Sequence, residues 1–583
     1  MEPWQEEYLK NTLEIARLSD ACRTGASGTE ELSRADRRMA ELRRENIRLL
    51  NDRLFPALDG LFGAPQETVD GLARFADQLM DWKTNPDCGL YVTIHKALLS
   101  FQRIRRDRAG ILRELYKLGM GYYYLYMYVT GMDFDEVRKM SFRNELLFTE
   151  AASYLRFFEE IEDEESRGYI IRSMANIALC TTDKKKKIAA GRRILEIIRD
   201  PYYRDLAPGL PWDVFLSRTH QQMSANRHEL SKGDLGREDL AAVLDSCYEV
   251  FHAQQGQANP SIRWLWPLYE MEYSCGYTDA ETTLDRMEKL IRGNPEDAYD
   301  MSGLYGGIQL PLYYSHMLRK HPRLADDPNR LRFMAYASER LLATMTGCPL
   351  EFQDNYFFYL IRQTVAEYHE FPGCVTYLEL SRTLLRRFAG PIYDRGLRAG
   401  RMLRLLCGGM LERFPECFDE IPFLQDLRNP DEKKTALLDY AEGCGLYHDF
   451  GLLKLNITRT EQTRNLFEEE QEIYQLHVLS GWEDLKKRPS TERYADIALG
   501  HHAWYNGMGG YPANYERNRS ACRQMTDAVA LVSRLLETPL EPMEDMNREI
   551  AAGEGSRFSP RVTAVFLDPG VNKALDRILK QKE

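Results

Sequence analysis

Long apolar runs are missing from this sequence. No stretch reaches the roughly 18 uninterrupted apolar residues of a membrane-spanning helix, and the nearest, residues 121–129 (GYYYLYMYV), is short and crowded with tyrosine hydroxyls. It reads as the aromatic face of a helix in a helical array. Cys-x-x-Cys pairs are absent as well. The eleven cysteines are scattered and odd in number, and the Met1–Glu7 stretch lacks a basic region leading into an apolar one. Buried, reduced thiols in a cytoplasmic protein are the expectation. A basic excess is also lacking, with 77 Lys and Arg against 89 Asp and Glu and a net charge of −12. A binder of duplex nucleic acid must neutralise many phosphates and needs the opposite balance. A small anion in a local pocket remains compatible with it. Alternating β-branched runs are scarce, which leaves little for a sheet.

What is present is helical periodicity over a length of 583 residues. Single cores stop growing at about 250–300 residues, so two or three domains are expected in an all-α chain. Residues 31–54 place Leu, Met and Ile at mixed three- and four-residue spacings between charges, an amphipathic helix suited to pairing with another. Helices of 12–20 residues then alternate with turns marked by Asn85-Pro86, Asp200-Pro201, Asn294-Pro295 and Asp327-Pro328. Residues 266–295 read as one helical hairpin, with an aromatic first helix, a Gly-Tyr turn and a closing Asn-Pro. This section is similar to a tetratricopeptide-type unit, and an α-solenoid-like array of helical pairs is expected. The four lysines of 184–187 open a helix. Seven histidines (95, 220, 228, 252, 316, 321 and 369) lie in the first 370 residues with no ligand-like spacing, and they are read as structural or surface residues.

The last 210 residues hold only four histidines, and three of them adjoin another metal-type side chain. The pattern is Tyr447-His448-Asp449-Phe450-Gly451, then His477, then His501-His502-Ala503-Trp504-Tyr505-Asn506-Gly507-Met508-Gly509-Gly510-Tyr511-Pro512. Asp527 follows on a helix, and Gly555-Ser556-Arg557-Phe558-Ser559-Pro560 comes later. Imidazole nitrogens and carboxylate oxygens are the usual ligands of Fe, Mn and Zn. From about residue 375 to the end, the chain resembles the HD-GYP family of all-helical metal phosphodiesterases, which open cyclic dinucleotides, chiefly cyclic di-GMP.

The resemblance implies a residue-by-residue assignment. His448 and Asp449 match the HD pair, with Asp449 bridging two divalent ions (Fe or Mn, with Zn as an alternative). His477, His501 and His502 match the other metal histidines, Asp527 the last carboxylate ligand, and Asp394 a carboxylate of trinuclear members. The family's histidine on the first helix is replaced by Arg398, which stays protonated. It would either repel one metal or clamp a phosphate. Leu452 stands where the HD-x-GK lysine belongs, and Lys454 is the candidate substitute beside His448 and Asp449 in the catalytic role. Ala503, Asn506 and the extra Gly510 depart from the family loop. Tyr511, Arg517, Arg519 and Arg523 are the candidates for gripping substrate.

The implied architecture is an N-terminal helical segment over 1–130, a helical-repeat-like regulatory or partner-binding region over 131–374, and an HD-GYP-like bundle over 375–583. The implied function is hydrolysis of a cyclic dinucleotide or related phosphodiester. The alternatives are a catalytically degenerate domain that senses the nucleotide, or one that binds a protein as a signalling scaffold. Family members are often homodimers, to which residues 31–54 could contribute.

Overall fold

The Asp-Pro and Asn-Pro dipeptides become helix ends in the computed structural model, which describes residues 2–23, 29–80, 86–127, 134–181, 183–225, 235–254, 262–349, 367–455, 462–513, 515–537 and 542–580. Asp200, Asp327 and Asn429 each accept a hydrogen bond from the backbone N–H two residues on, with proline in the first turn. An N-cap oxygen followed by proline satisfies or removes N–H groups that a helix start leaves unpaired. Asn294 closes helix Ala280–Gly293, whereas Asn85 lies outside the described residues. The lysines of 184–187 do open a helix, Lys184–Arg199, capped by Asp183.

The chain is all-α. Among the described residues β pairing is limited to isolated bridges at Ala503–Gly510 and Glu554–Phe558, and no helix is long and apolar enough to cross a membrane. Residues 266–295 form helices Ile262–Ser274 and Ala280–Gly293, with Gly276 at φ +78° in the turn. The amphipathic stretch 31–54 forms most of helix Thr29–Leu49 and a wider turn, Leu50–Leu54. It pairs within the chain with helix Pro3–Arg23, where Arg38 and Glu14 meet at 2.8 Å. The tyrosine run falls on helix Arg108–Tyr126, where Tyr122 and Tyr126 stack at 5.3 Å; Tyr128 and Val129 lie outside the described residues. Every described cysteine is a free thiol.

Apolar packing joins distant parts of the sequence. One core runs from Trp266 to Leu579 and is continuous across positions 374 and 375. A second gathers residues between Cys88 and Phe215 together with Leu452, Leu455, Ile473 and Leu476, so the N-terminal helices pack directly on the segment that follows Asp449. Beside this contact Arg464 is fully buried between Asp87 and Glu470, at 2.5 and 2.7 Å. Arg43 and Asn46, on the second helix, reach Asn465 and the Thr463 carbonyl.

Helices Gly390–Arg413 and Pro430–Tyr447 approach so closely that a Cβ on Gly445 would overlap the Gly400 backbone. Gly451 is under the same constraint, because its Cβ would overlap the His477 carbonyl. Gly408, on the first of these helices, has open space around it. Gly445→Ala should therefore lose about 1–3 kcal/mol or more by forcing the backbones apart. Gly408→Ala should gain up to about 1 kcal/mol from helix propensity alone. Urea unfolding of both variants checks this, and equal effects would mean the close approach is not a constraint.

Candidate functional site

Three helix ends meet behind that glycine contact. A helix leaves its last carbonyls without intrahelical partners, and here three histidines supply the missing donors. His448 Nδ1 donates to the Gly445 carbonyl at 2.7 Å, His477 Nδ1 to that of Tyr474 at 2.7 Å, and His501 Nδ1 to that of Ala498 at 3.0 Å. A carbonyl only accepts, so each Nδ1 carries the proton, and where the ring is neutral, as burial keeps His477 and His501, its Nε2 presents a lone pair. This is the outer-sphere arrangement that orients metal-binding imidazoles.

The lone pairs converge. His477 Nε2 and His501 Nε2 are 3.3 Å apart, and they lie 3.5 and 3.4 Å from Asp449 Oδ1. His448 Nε2 is 3.2 Å from the other carboxylate oxygen, Oδ2. Asp449, His477, His501 and His502 each offer a ligand atom within 4.8 Å of the others. Asp449 Oδ1 is buried without a hydrogen-bond donor. Burial pushes the His477 imidazole down to about 3, against the pull of Asp449, and lowers His501 and His502 as well. Neutral rings are the form that binds metal. Three Lewis-basic atoms facing one another without a proton between them form a repulsive arrangement that a cation relieves, so the donor set fits a divalent ion.

Arg395 occupies the other side of Asp449, its guanidinium paired with Oδ2. Burial alone would raise the Asp449 carboxyl, but Arg395 and then His448 hold it well below the usual carboxylate range. Around the rim, the Tyr511 ring stacks on His502 at 4.5 Å, and Tyr474 packs edge-on to His477 at 5.2 Å. Glu537 Oε1 is 3.9 Å from His502 Nδ1. The loop after His502 is held by the late Gly-x-x-Phe-Ser-Pro segment, since Tyr505 and Asn506 donate to the carbonyls of Arg557 and Ser556.

The structure thus gathers His448, Asp449, His477, His501, His502 and Tyr511 and sets the other candidates apart. Asp527 is gripped by Arg517, whose Nε is 2.8 Å from Oδ1, and is not among the four converging ligands. One expected ligand and one expected substrate arginine therefore partner each other. Asp394 is exposed on its helix. Arg398 is half-buried, its Nε without a hydrogen-bond partner. Arg523 pairs with Glu420, and the side chain of Arg519 lies outside the described residues. Lys454 is 2.5 Å from Asp484. Arg395, Tyr474 and Glu537 were not singled out in the sequence. Arg395 lies beside Asp394 and one turn before Arg398, so the register of that helix was the available signal, one residue out.

Leu452 has a physical account. It is 2 % exposed, in the apolar cluster with the N-terminal helices, so a lysine there would be a buried cation in hydrocarbon. No protein-family model, curated protein or solved structure matches the chain. Leu452→Lys should destabilise the protein by about 3 kcal/mol or more, and Leu452→Met by less than about 1.5 kcal/mol. Chemical denaturation checks both, and a stable lysine variant would refute this account of the missing cation.

Proposed function

We propose that residues 375–583 form a divergent HD-GYP-type metal-dependent phosphodiesterase that hydrolyses a cyclic dinucleotide, cyclic di-GMP or a related diester. The observation that carries the reading is the unprotonated cluster of Asp449 Oδ1 with the Nε2 atoms of His477 and His501, closed by His502. A divalent ion held there supplies Lewis-acid activation of a water and of a phosphoryl oxygen. The side chains supply the rest. Carbonyl-bound Nδ1 protons keep the His477 and His501 imidazoles in one tautomer. Arg395, anchored on Asp449, places a fixed positive charge where a phosphoryl oxygen would gather negative charge. The Tyr511 ring forms an aromatic wall at the mouth.

The sequence resemblance implied two ions, and this donor set favours one. Asp527 is held by Arg517, Asp394 is exposed, and Arg395 covers the Asp449 oxygen that faces His448. A second reading, a nucleotide-binding sensor without turnover, is favoured by one observation: the catalytic-lysine position is the buried Leu452.

Anaerobically purified protein should hold about one Fe or Mn per chain, and His477→Ala/His501→Ala should lose it. The holoenzyme should hydrolyse cyclic di-GMP or bis-p-nitrophenyl phosphate, with Asp449→Asn slower by at least about 100-fold. Folded protein without metal overturns the proposal. Metal with saturable cyclic di-GMP binding but no hydrolysis selects the sensor reading.

A further inference from the structure

Away from the histidine cluster, four N-terminal helices line a partly open cavity of about 180 Å³. Each contributes one stripe of its surface. Helix Arg108–Tyr126 offers Tyr116, Met120 and Tyr124, at successive four-residue steps. Helix Glu164–Cys180 offers Ile171, Arg172 and Asn176. Helix Lys184–Arg199 offers Ile194 and Ile198, and helix Trp212–Ala225 offers Phe215, Arg218 and Thr219.

The wall mixes aromatic and aliphatic side chains with the polar Asn176, Thr219 and Gln222, and among the described residues its formal charges are two guanidiniums. Among the described residues no Asp or Glu lines the cavity and neither arginine is in an ion pair. The Arg172 guanidinium lies over the Tyr169 and Phe215 rings, 5.7 and 5.8 Å from their centroids. Burial raises the Tyr116 phenol, and Arg172 and Arg218 both pull it back, which places both cations close to one ring. Thr219 spends its hydroxyl proton on the Phe215 carbonyl, and the Asn176 amide nitrogen faces Met120 sulphur at 3.0 Å.

We propose that this cavity is a binding site for a small organic anion with a single planar ring, its acid group held by Arg172 and Arg218 and its ring between Tyr116, Tyr124 and Phe215. The charge argument sets the sign, because two cations at a pocket with no acid among the described residues of its wall attract an anion. Guanidiniums match carboxylate and phosphate oxygens in geometry. Size sets the ring count, since an apolar cavity of roughly 150 Å³ accommodates benzene. Apolar pockets with a few convergent polar groups are the usual form of small-molecule sites. The inference does not depend on the C-terminal chemistry.

Calorimetric titration of the full-length protein with benzoate and with phenylphosphate tests it, with benzyl alcohol as the neutral match. At least one anion should bind saturably in the millimolar range or tighter. Arg172→Gln/Arg218→Gln should weaken it by about 10-fold or more, as expected for the loss of charged hydrogen bonds. Arg218→Gln alone, at an exposed position, should weaken it in the same direction without perturbing the fold. The His477→Ala/His501→Ala protein should bind as the parent does, which separates this cavity from the metal cluster. The proposal is overturned if neither anion binds, if the arginine variants bind as tightly as the parent, if benzyl alcohol binds equally well, or if the histidine variant abolishes binding.

Discussion

The contact between the Gly400 and Gly445 backbones governs the C-terminal half of the molecule. Two helices that touch without side chains between them have little freedom to slide or roll, since any rotation brings a neighbouring side chain into the gap. Helix Pro430–Tyr447 ends two residues before Asp449, and helix Gly390–Arg413 carries Arg395 little more than one turn before Gly400. Fixing the helices therefore fixes the ion pair of Arg395 with Asp449. Gly451 repeats the device one step on, seating the turn after Asp449 against the His477 carbonyl. Metal-type geometry here is a consequence of backbone proximity, and the side chains follow from it.

A second constraint is electrostatic and joins the two ends of the sequence. Arg464 is buried with Asp87 and Glu470, two acids for one cation. The surplus charge is met by neutral donors: the Tyr8 hydroxyl and the Leu90 N–H reach Asp87, and the Phe467 N–H reaches Glu470. Such a cluster costs several kcal/mol of desolvation per ion and is tolerable only when every lone pair has a partner. Removing one member would leave a buried charge exposed to hydrocarbon, which ties the N-terminal helices to the short helix Glu468–Gln475 that leads into His477.

Helical class was legible in the sequence because periodicity and Asp-Pro or Asn-Pro turn markers are local signals, and at Asp200 and Asp327 the structure turns those markers into helix N-caps. The histidines His448, His477, His501 and His502 could also be singled out, because few histidines occupy that region and their spacing is distinctive. The partners of the remaining charges were not legible. Asp527 and Arg517 are ten residues apart and suited either to a ligand shell or to each other; only the packed loop between them decides for pairing. Lys454 likewise finds Asp484 through a turn whose direction is set by Gly451. The choice of Arg395 over Asp394 is a matter of helix register, which a one-residue error inverts.

Leu452 connects these constraints. Here the helices between Cys88 and Phe215 cover it, and the same apolar cluster takes in Leu455, Ile473 and Leu476 on either side of the histidine site. A covered surface excludes an unpaired cation, so the packing of the N-terminal helices accounts for an apolar side chain at position 452. Positive charge next to Asp449 comes from Arg395. Arg395 is on helix Gly390–Arg413, whose first turn also meets the N-terminal cluster through Ile392. The packing of the N-terminal helices over the turn after Asp449 therefore fits leucine at 452, while Arg395 is the cation paired with the Asp449 carboxylate.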